Sequence, residues 1–381
     1  MNKIYYWSPC LEKVGTYKST INSAISLARY SNNTLSVKLI NVCGEWDSEK
    51  KIFDEHHIEL IDLNFKYFKY LPKNGFFKSR ISHLIIILFS IIPLIKLLNK
   101  DKPDILIIHL ITSLPLFLKY IFNFKTEIIL RISGFPKLNF FRKLIWSLTS
   151  KKIKKILCPT IGLLNQLKKI KIFQDNKLSY LPDPVISSEE LILKRKPIYK
   201  KYIKNKSLNF ISAGRLTRQK NYLYLIEEFC KFANTHSNTS LTIFGNGEEE
   251  KKIENKIKEL NLEEKVFLKG RVDNIYHFMK SADAFILSSL WEDPGHVIIE
   301  SAMNNLFIIS SDCKNGPPEF LENGKAGILF SSNTKNALTK SLFDFIEMQD
   351  NDKLIKKIKA KKNCLNYSLY RHYKIFHKIL N

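Results

Sequence analysis

A chain of 381 residues is too long for one ordinary core, so two domains are expected. Its 45% hydrophobic content, with 13 Gly and 13 Pro, fits a soluble globular protein and excludes a disordered one. The formal charge of +25 is uneven: residues 1–185 hold 29 Lys and Arg against 13 Asp and Glu, or +16, and the remainder carries +9. A basic surface of this kind serves nucleic acid, anionic lipid or phosphorylated substrates. None of the usual DNA- or RNA-binding signatures is present, so no nucleic-acid partner is expected. Six cysteines (10, 43, 158, 230, 313 and 364) form no C-x-x-C pair and read as reduced thiols of a cytoplasmic protein.

The chain opens on Ile4–Trp7, which reads as a short strand and not as a secretory leader. Thr16–Tyr30 has helical periodicity and Ser36–Val42 reads as a second strand. Leu84–Leu98 is the candidate for a membrane span. It is about fifteen residues long, is interrupted by Pro93 and Lys96, and falls short of the roughly 20 a span needs. A buried helix or a shallow interfacial segment is expected there. Ile105–His109, Glu127–Ile132 and Lys155–Pro159 read as further buried strands, and Gly162–Lys171 as a helix. Pro182 and Pro184 end this pattern, and the polar stretch Ser187–Lys206 is the expected linker.

The rhythm then restarts. Leu208–Ser212, Thr239–Phe244, Val266–Lys269, Ala284–Ser288, Leu306–Ser310 and Gly327–Phe330 read as strands. Helices are expected over Tyr222–Ala233, Glu248–Leu260, Ile275–Ser281, His296–Asn304 and Thr334–Glu347. Such alternation builds parallel sheet with crossover helices. The expected fold is therefore α/β: two Rossmann-like, doubly wound domains, 1–187 and 207–351, facing a central cleft. The tail, about 352–381, is expected to pack back on the first. Ligands of such sheets lie beyond the carboxyl ends of the strands.

Four loops of the second half stand at those ends. In Ser212-Ala-Gly-Arg-Leu-Thr-Arg-Gln-Lys-Asn221, Gly214 permits a tight turn, and Arg215 and Lys220 bring two cations to the mouth of a helix. A phosphate grip and a solvated helix start both fit that pattern. Phe244-Gly-Asn-Gly-Glu248 is a glycine turn before a helix, and Gly245 is where a backbone could approach a ligand. Phe267-Leu-Lys-Gly-Arg-Val272 offers main chain at Arg271 and Val272 to a nucleobase edge, or is an ordinary turn. The fourth loop, Ser289–Ala302, holds Glu292 and, eight positions later, Glu300. The free N–H groups of Gly295, His296 and Val297 at its helix start suit an anion.

Taken in order, GRLTRQKN, the G-x-G-E turn, FLKGRV, Glu292-x7-Glu300 and Gly316-Pro-Pro-Glu319 make Ile211–Phe330 resemble the donor domain of retaining GT-B glycosyltransferases of family 4, the glycosyl transferases group 1 set. The resemblance implies a metal-independent enzyme, without a cofactor, that moves a hexose from a nucleoside diphosphate sugar with retention of configuration. It implies that Arg215 and Lys220 bind the diphosphate, Glu300 the ribose, and Glu292 the donor sugar in turnover. The one D-x-D, Asp350-Asn-Asp352, is read as a polar helix boundary. Asn304-Asn-Leu306 departs from the family's usual glycine and proline.

The first half matches less sharply. Val14-Gly15-Thr16 resembles a shortened glycine loop that approaches the diphosphate, and Ser133 stands where the family often has histidine. His109, at a strand end, fits either a contact to the donor sugar or an internal hydrogen bond. Two basic-aromatic stretches, Asn64–Arg80 and Leu138–Leu157, suit anionic headgroups or a plain solvated face. The expectation is peripheral attachment to the inner face of a membrane. The expected donor is a UDP-sugar and the acceptor a lipid-linked glycan of surface polysaccharide assembly (O-antigen, capsule or lipopolysaccharide). Two rivals remain: a nucleotide-sugar epimerase on the same scaffold, which turns over donor alone, and a non-catalytic nucleotide-sugar-binding protein, which tolerates loss of Glu292.

Overall fold

A strand covered on both faces has to be apolar throughout, and Ile105–Ile108 (Ile-Leu-Ile-Ile) is buried at all four positions. The computed structural model describes residues 2–13, 15–63, 70–72, 76–122, 124–134, 136, 138–194 and 207–380. These fall into two units, Met1–Val185 with Leu369–Asn381, and Ile186–Ser368. Parts of the stretch 64–80 and most of the expected linker lie outside the described residues, as does Val14.

The first unit runs β1 (Asn2–Trp7), α1 (Gly15–Tyr30), β2 (Leu35–Asn41), α2 (Lys50–Glu55), β3 (Glu59–Asp62), α3 (Phe76–Asp101), β4 (Ile105–Ile108), α4 (Ser113–Phe122), β5 (Glu127–Arg131), α5 (Phe140–Thr149), β6 (Ile153–Cys158), α6 (Ile161–Lys169) and β7 (Leu178–Tyr180). Its seven parallel strands lie in the order β3-β2-β1-β4-β5-β6-β7, with Ile4 paired to both Val37 and Ile105. Residues of α3 to α6, among them Ile86, Leu94, Trp146 and Leu163, form one core. Ile21 of α1, Phe53 of α2 and Phe376 of a C-terminal helix belong to a second. The short edge strands β3 and β7 and the helices α2 and α4 were not expected from the sequence.

One reading of the sequence needs correction. The apolar helix is not about fifteen residues: α3 runs through Pro93, and Arg80–Asp101, 22 residues, is long and apolar enough to cross a membrane by length and composition. Interior proline costs a helix about 3 kcal/mol. Here Ile86, Ser90, Leu94 and Leu98 stay in one buried stripe on both sides of Pro93, and that packing holds the helix together. The basic-aromatic sequence Leu138–Leu157 spans α5 and most of β6.

The second unit runs α7 (Ser188–Lys194), β8 (Leu208–Ala213), α8 (Tyr222–Thr235), β9 (Thr239–Phe244), α9 (Glu250–Glu259), β10 (Val266–Leu268), α10 (Tyr276–Met279), β11 (Ala284–Leu287), α11 (His296–Met303), β12 (Phe307–Ser311), α12 (Gly316–Phe320), β13 (Ile328–Phe330), α13 (Ala337–Glu347) and α14 (Asp350–Asn363). Its six strands are parallel, in the order β10-β9-β8-β11-β12-β13. Asp350 and Asp352 lie in the first turn of α14, where carboxylates offset the partial charge of free N–H groups.

The tail divides. α14 stays with the second unit, where Lys356 Nζ donates to Gly324 O (2.6 Å) and Asn363 Nδ2 to Phe320 O (2.9 Å). Only α15 (Leu369–Leu380) joins the first, through a buried polar seam under α1. His372 Nδ1 donates to Pro182 O (2.8 Å) and its Nε2 accepts from Ser23 Oγ (2.9 Å), which is itself 2.9 Å from Tyr6 Oη. Nearby, Arg131 is buried in an ion pair with Asp183 and donates to Ser19 Oγ at 2.9 Å.

Burial, with the neighbouring Arg131 charge, lowers the His372 pKa to about 3, so the imidazole is neutral in the fold. An unfolded histidine titrates near 6.5, so below that pH the unfolded chain binds a proton the fold refuses. Stability is full above about pH 6.5 and falls, by up to roughly 1.4 kcal/mol per pH unit from this group, as pH drops toward 3. Calorimetric melting at pH 7, 6 and 5 should show that loss, and His372→Gln should be less stable at pH 7 but flatter in slope.

Candidate functional site

Because all six strands of the second sheet run the same way, the loops after β8, β9, β10, β11 and β12 emerge along one edge. Main-chain hydrogen bonds stitch them together. Gly214 N donates to Phe244 O (3.0 Å), Leu216 N to Asn246 O (2.9 Å) and Gly245 N to Gly270 O (2.8 Å). The first loop reaches the fourth through Leu290 N to Gln219 O (2.8 Å) and Gln219 Nε2 to Trp291 O (2.8 Å). Trp291 also bridges in parallel to Lys314, ahead of α12.

Two glycines make this density possible. Gly245 has φ +135°, and a Cβ built there would stand 1.8 Å from Gly214 O. At Gly316 a Cβ would stand 1.7 Å from Pro294 O, so the turn expected to match G-x-x-E locks the Glu292 loop from behind.

Lys220 and Glu292, 72 positions apart, form an ion pair, with Glu292 only 7% exposed. Ser289 Oγ donates to the same carboxylate oxygen at 2.6 Å. Ser288 Oγ donates to Lys220 O at 2.8 Å, fixing the main chain of the lysine too. Arg215 is exposed at the start of the turn that ends at Lys220; Thr217 N donates to Arg215 O (2.8 Å) and Lys220 N to Thr217 O (3.0 Å). Gly295, His296 and Val297 open α11, and Glu300 on that helix accepts from Tyr276 Oη at 3.4 Å, a long bond. Arg271 and Val272 follow β10, with Arg271 exposed and Val272 half-buried. A buried carboxylate held by one ammonium and one hydroxyl can hand its ammonium to an arriving phosphate.

The remaining candidates belong to the first unit. Gly15 opens α1. His109, 6% exposed, is held at both ring nitrogens: Nδ1 is 3.1 Å from Thr20 Oγ1 and Nε2 is 2.5 Å from Ser133 Oγ. Thr20 Oγ1 is itself 2.9 Å from Thr16 O and 3.1 Å from Ser8 Oγ, so the histidine belongs to a buried hydrogen-bonded cluster. The internal hydrogen bonds left open as an alternative are therefore present.

Several residues of the site were not singled out in the sequence. Ser289 stands three places before Glu292 at a strand end, and that spacing was its only signal. Tyr222 and Cys313 come close through tertiary structure alone: a Cβ on Gly214 would lie 3.2 Å from Tyr222 Oη, and the charges of Glu292 and Lys220 act on Cys313. Burial is the main cause that pushes the Cys313 thiol up to about 12, so it stays protonated.

Gly245→Ala forces its methyl group into Gly214 O and should destabilise the second unit by about 2 kcal/mol or more. Denaturant unfolding checks this, with Gly134→Ala as the comparison: it shares a positive φ, +81°, but has nothing within 4 Å of the added Cβ, so it should cost less.

Residues 194–362 match the family model described as Glycosyl transferases group 1. An uncharacterized glycosyltransferase of Methanocaldococcus jannaschii is 33% identical over 245 residues, 60% of each chain. A Campylobacter jejuni N-acetylgalactosamine-N,N'-diacetylbacillosaminyl-diphospho-undecaprenol 4-alpha-N-acetylgalactosaminyltransferase is 33% identical over 151 residues, 40% of each chain. This chain thus spans less than two thirds of the length of either relative. The crystal structure of Anabaena HepE in complex with UDP and glucose superposes with TM-score 0.73 at 13% identity, covering 100% of this chain and 99% of that one, which is a likeness of fold. On these likenesses, residues 194–362 are similar to the glycosyl transferases group 1 family, and the chain has a GT-B fold.

Proposed function

We propose that this chain is a retaining, metal-independent glycosyltransferase of family 4 that takes a hexose from a nucleoside diphosphate, UDP in the first instance, and passes it to a lipid-linked glycan. The observation that carries the reading is the buried Lys220–Glu292 pair, braced by Ser289 and set among loops stitched along one sheet edge. Support for the donor comes from the UDP and glucose named with the Anabaena protein. The diphospho-undecaprenol in the name of the Campylobacter relative supports the acceptor class, and with it a role in surface polysaccharide assembly. The proposed location is cytoplasmic, on the inner face of a membrane.

The bond from the anomeric carbon to the β-phosphate oxygen breaks with its electron pair leaving on the diphosphate. The acceptor hydroxyl bonds to that carbon from the same face and gives its proton to the departing β-phosphate oxygen. Arg215 and Lys220 neutralise the leaving diphosphate, aided by the N–H groups of Gly295, His296 and Val297. As Lys220 turns to phosphate, Glu292 is freed to face the sugar and the positive charge developing at its reacting carbon. Glu300 takes the ribose diol, and the main chain at Gly245, Arg271 and Val272 takes the rest of the nucleoside. In the first unit, Gly15 keeps the role the resemblance implies, approach to the diphosphate, while both ring nitrogens of His109 are engaged internally.

Glu292→Gln should lower transfer about 100-fold or more while UDP affinity, read by calorimetry, moves no more than about threefold. Unchanged transfer would remove the catalytic role given to Glu292; UDP-sugar binding without any transfer by the wild type would leave a binding protein, and donor turnover without acceptor an epimerase. Arg215→Ala should weaken UDP about tenfold or more, the loss of one charge-assisted hydrogen bond, and unaltered affinity would contradict the diphosphate assignment.

A further inference from the structure

α3 is polarised against the usual rule for a helix on a sheet. Its buried stripe is Ser82, Ile86, Ser90, Leu94 and Leu98, every fourth residue, while Ile81, Leu84, Leu88 and Ile92 stand more than half exposed. Two serines are thus inside and four large aliphatics outside. Ser82 Oγ donates to Pro72 O at 2.6 Å, but the buried Ser90 Oγ has no hydrogen-bond partner among the described residues. In water this arrangement loses at both positions.

The exposed apolar surface continues across two neighbours in the same layer. α3 packs beside α4, and α4 beside α5. α4 turns Phe117 and Ile121 outward; α5 turns out Phe140, Phe141, Leu144 and Leu148, with Phe140 74% and Phe141 72% exposed. An apolar face of this extent marks an interaction site.

Its charge says which partner fits. Between Leu63 and Lys100, and again between Ile128 and Gln174, the chain has no Asp or Glu. Arg142 and Lys143 sit on α5 among the phenylalanines, and both are exposed. Arg80, at the first turns of α3, lies close enough for its charge to act on Arg142. Lys152 stands 5.3 Å over the Tyr120 ring at the end of α4. Rings and aliphatics flanked by cations with no acid between them match a surface that is apolar below and anionic above. Ile86, Leu94 and Leu98 are committed to the sheet, so α3 lies along such a surface and does not cross it.

We propose that the outer face of α3, α4 and α5 binds an anionic lipid bilayer, with the Phe140–Phe141 end at the acyl boundary and Arg80, Arg142 and Lys143 on the headgroups. This rests on the membrane location given above and names the face responsible. Flotation of the full chain tests it, using vesicles of phosphatidylcholine alone and of phosphatidylcholine mixed equally with phosphatidylglycerol, at about 0.1 M salt. The chain should float with the mixed vesicles and about fivefold less with the neutral ones. Phe140→Ser with Phe141→Ser should cut binding to the mixed vesicles about tenfold. Arg142→Gln with Lys143→Gln should erase the preference for the anionic lipid. All four positions are exposed, so melting temperature and UDP affinity should stay as in the wild type. No flotation, or flotation that both double variants leave unchanged, overturns the proposal. So does a dimer, read by light scattering, that the phenylalanine changes dissolve while neither form floats. The assay uses no donor and no acceptor, so its failure leaves the reading of the Lys220–Glu292 site untouched, and a failure of transfer leaves the lipid result standing.

Discussion

Close approach of main chain to main chain along the carboxyl edge of the second sheet is the constraint on which the site depends. Gly245 lies against Gly214 O and Gly316 against Pro294 O, with no room for a Cβ at either contact. That contact lets loops from separate strands share hydrogen bonds, and the shared bonds set Lys220 opposite Glu292. A salt bridge between two long side chains is a weak organiser by itself. Here both backbones are fixed first, by Ser288 on the carbonyl of Lys220 and by Gln219 on that of Trp291, so less side-chain freedom is lost in forming the pair.

A pair held this way is also a reserve. Burying Glu292 costs energy that Lys220 and Ser289 together offset, and taking one partner away leaves a charge short of partners. A ligand that brings negative charge to Lys220 therefore acts on Glu292 without touching it. In this reading the coupling between a diphosphate and the carboxylate is built into the resting site.

The first unit treats its two helical layers differently. On the side of α1 and α15, buried polar groups are matched one to one, from Tyr6 through Ser23 and His372 to Pro182, and the chain terminus is anchored there. On the side of α3, α4 and α5, apolar side chains face outward and a serine is sealed inside. The same sheet carries both. The difference lies in what covers each layer, since α15 lies against α1 while no described residue covers the outer faces of α3 to α5.

Much of this was legible in the residues. The β8 to β12 strands show as apolar runs because parallel strands are buried on both faces, and the cationic and acidic loops lie where those runs end. The order of GRLTRQKN, the G-x-G-E turn and Glu292-x7-Glu300 carries the resemblance to a glycosyltransferase donor domain. Less legible were β3 and β7, at three or four residues each, and the length of α3, where Pro93 reads as an interruption until the stripe it interrupts is seen against the sheet. Local pattern determined strands, helices and the identity of the site's charged residues, because periodicity and turn chemistry act over a few residues. Tertiary structure alone decided that Lys220 meets Glu292 across 72 positions, that Ser289 braces the pair, that the tail divides between α14 and α15, and that α3 faces outward with its greasier side. Those outcomes depend on which elements pack together, and no window of sequence contains both partners.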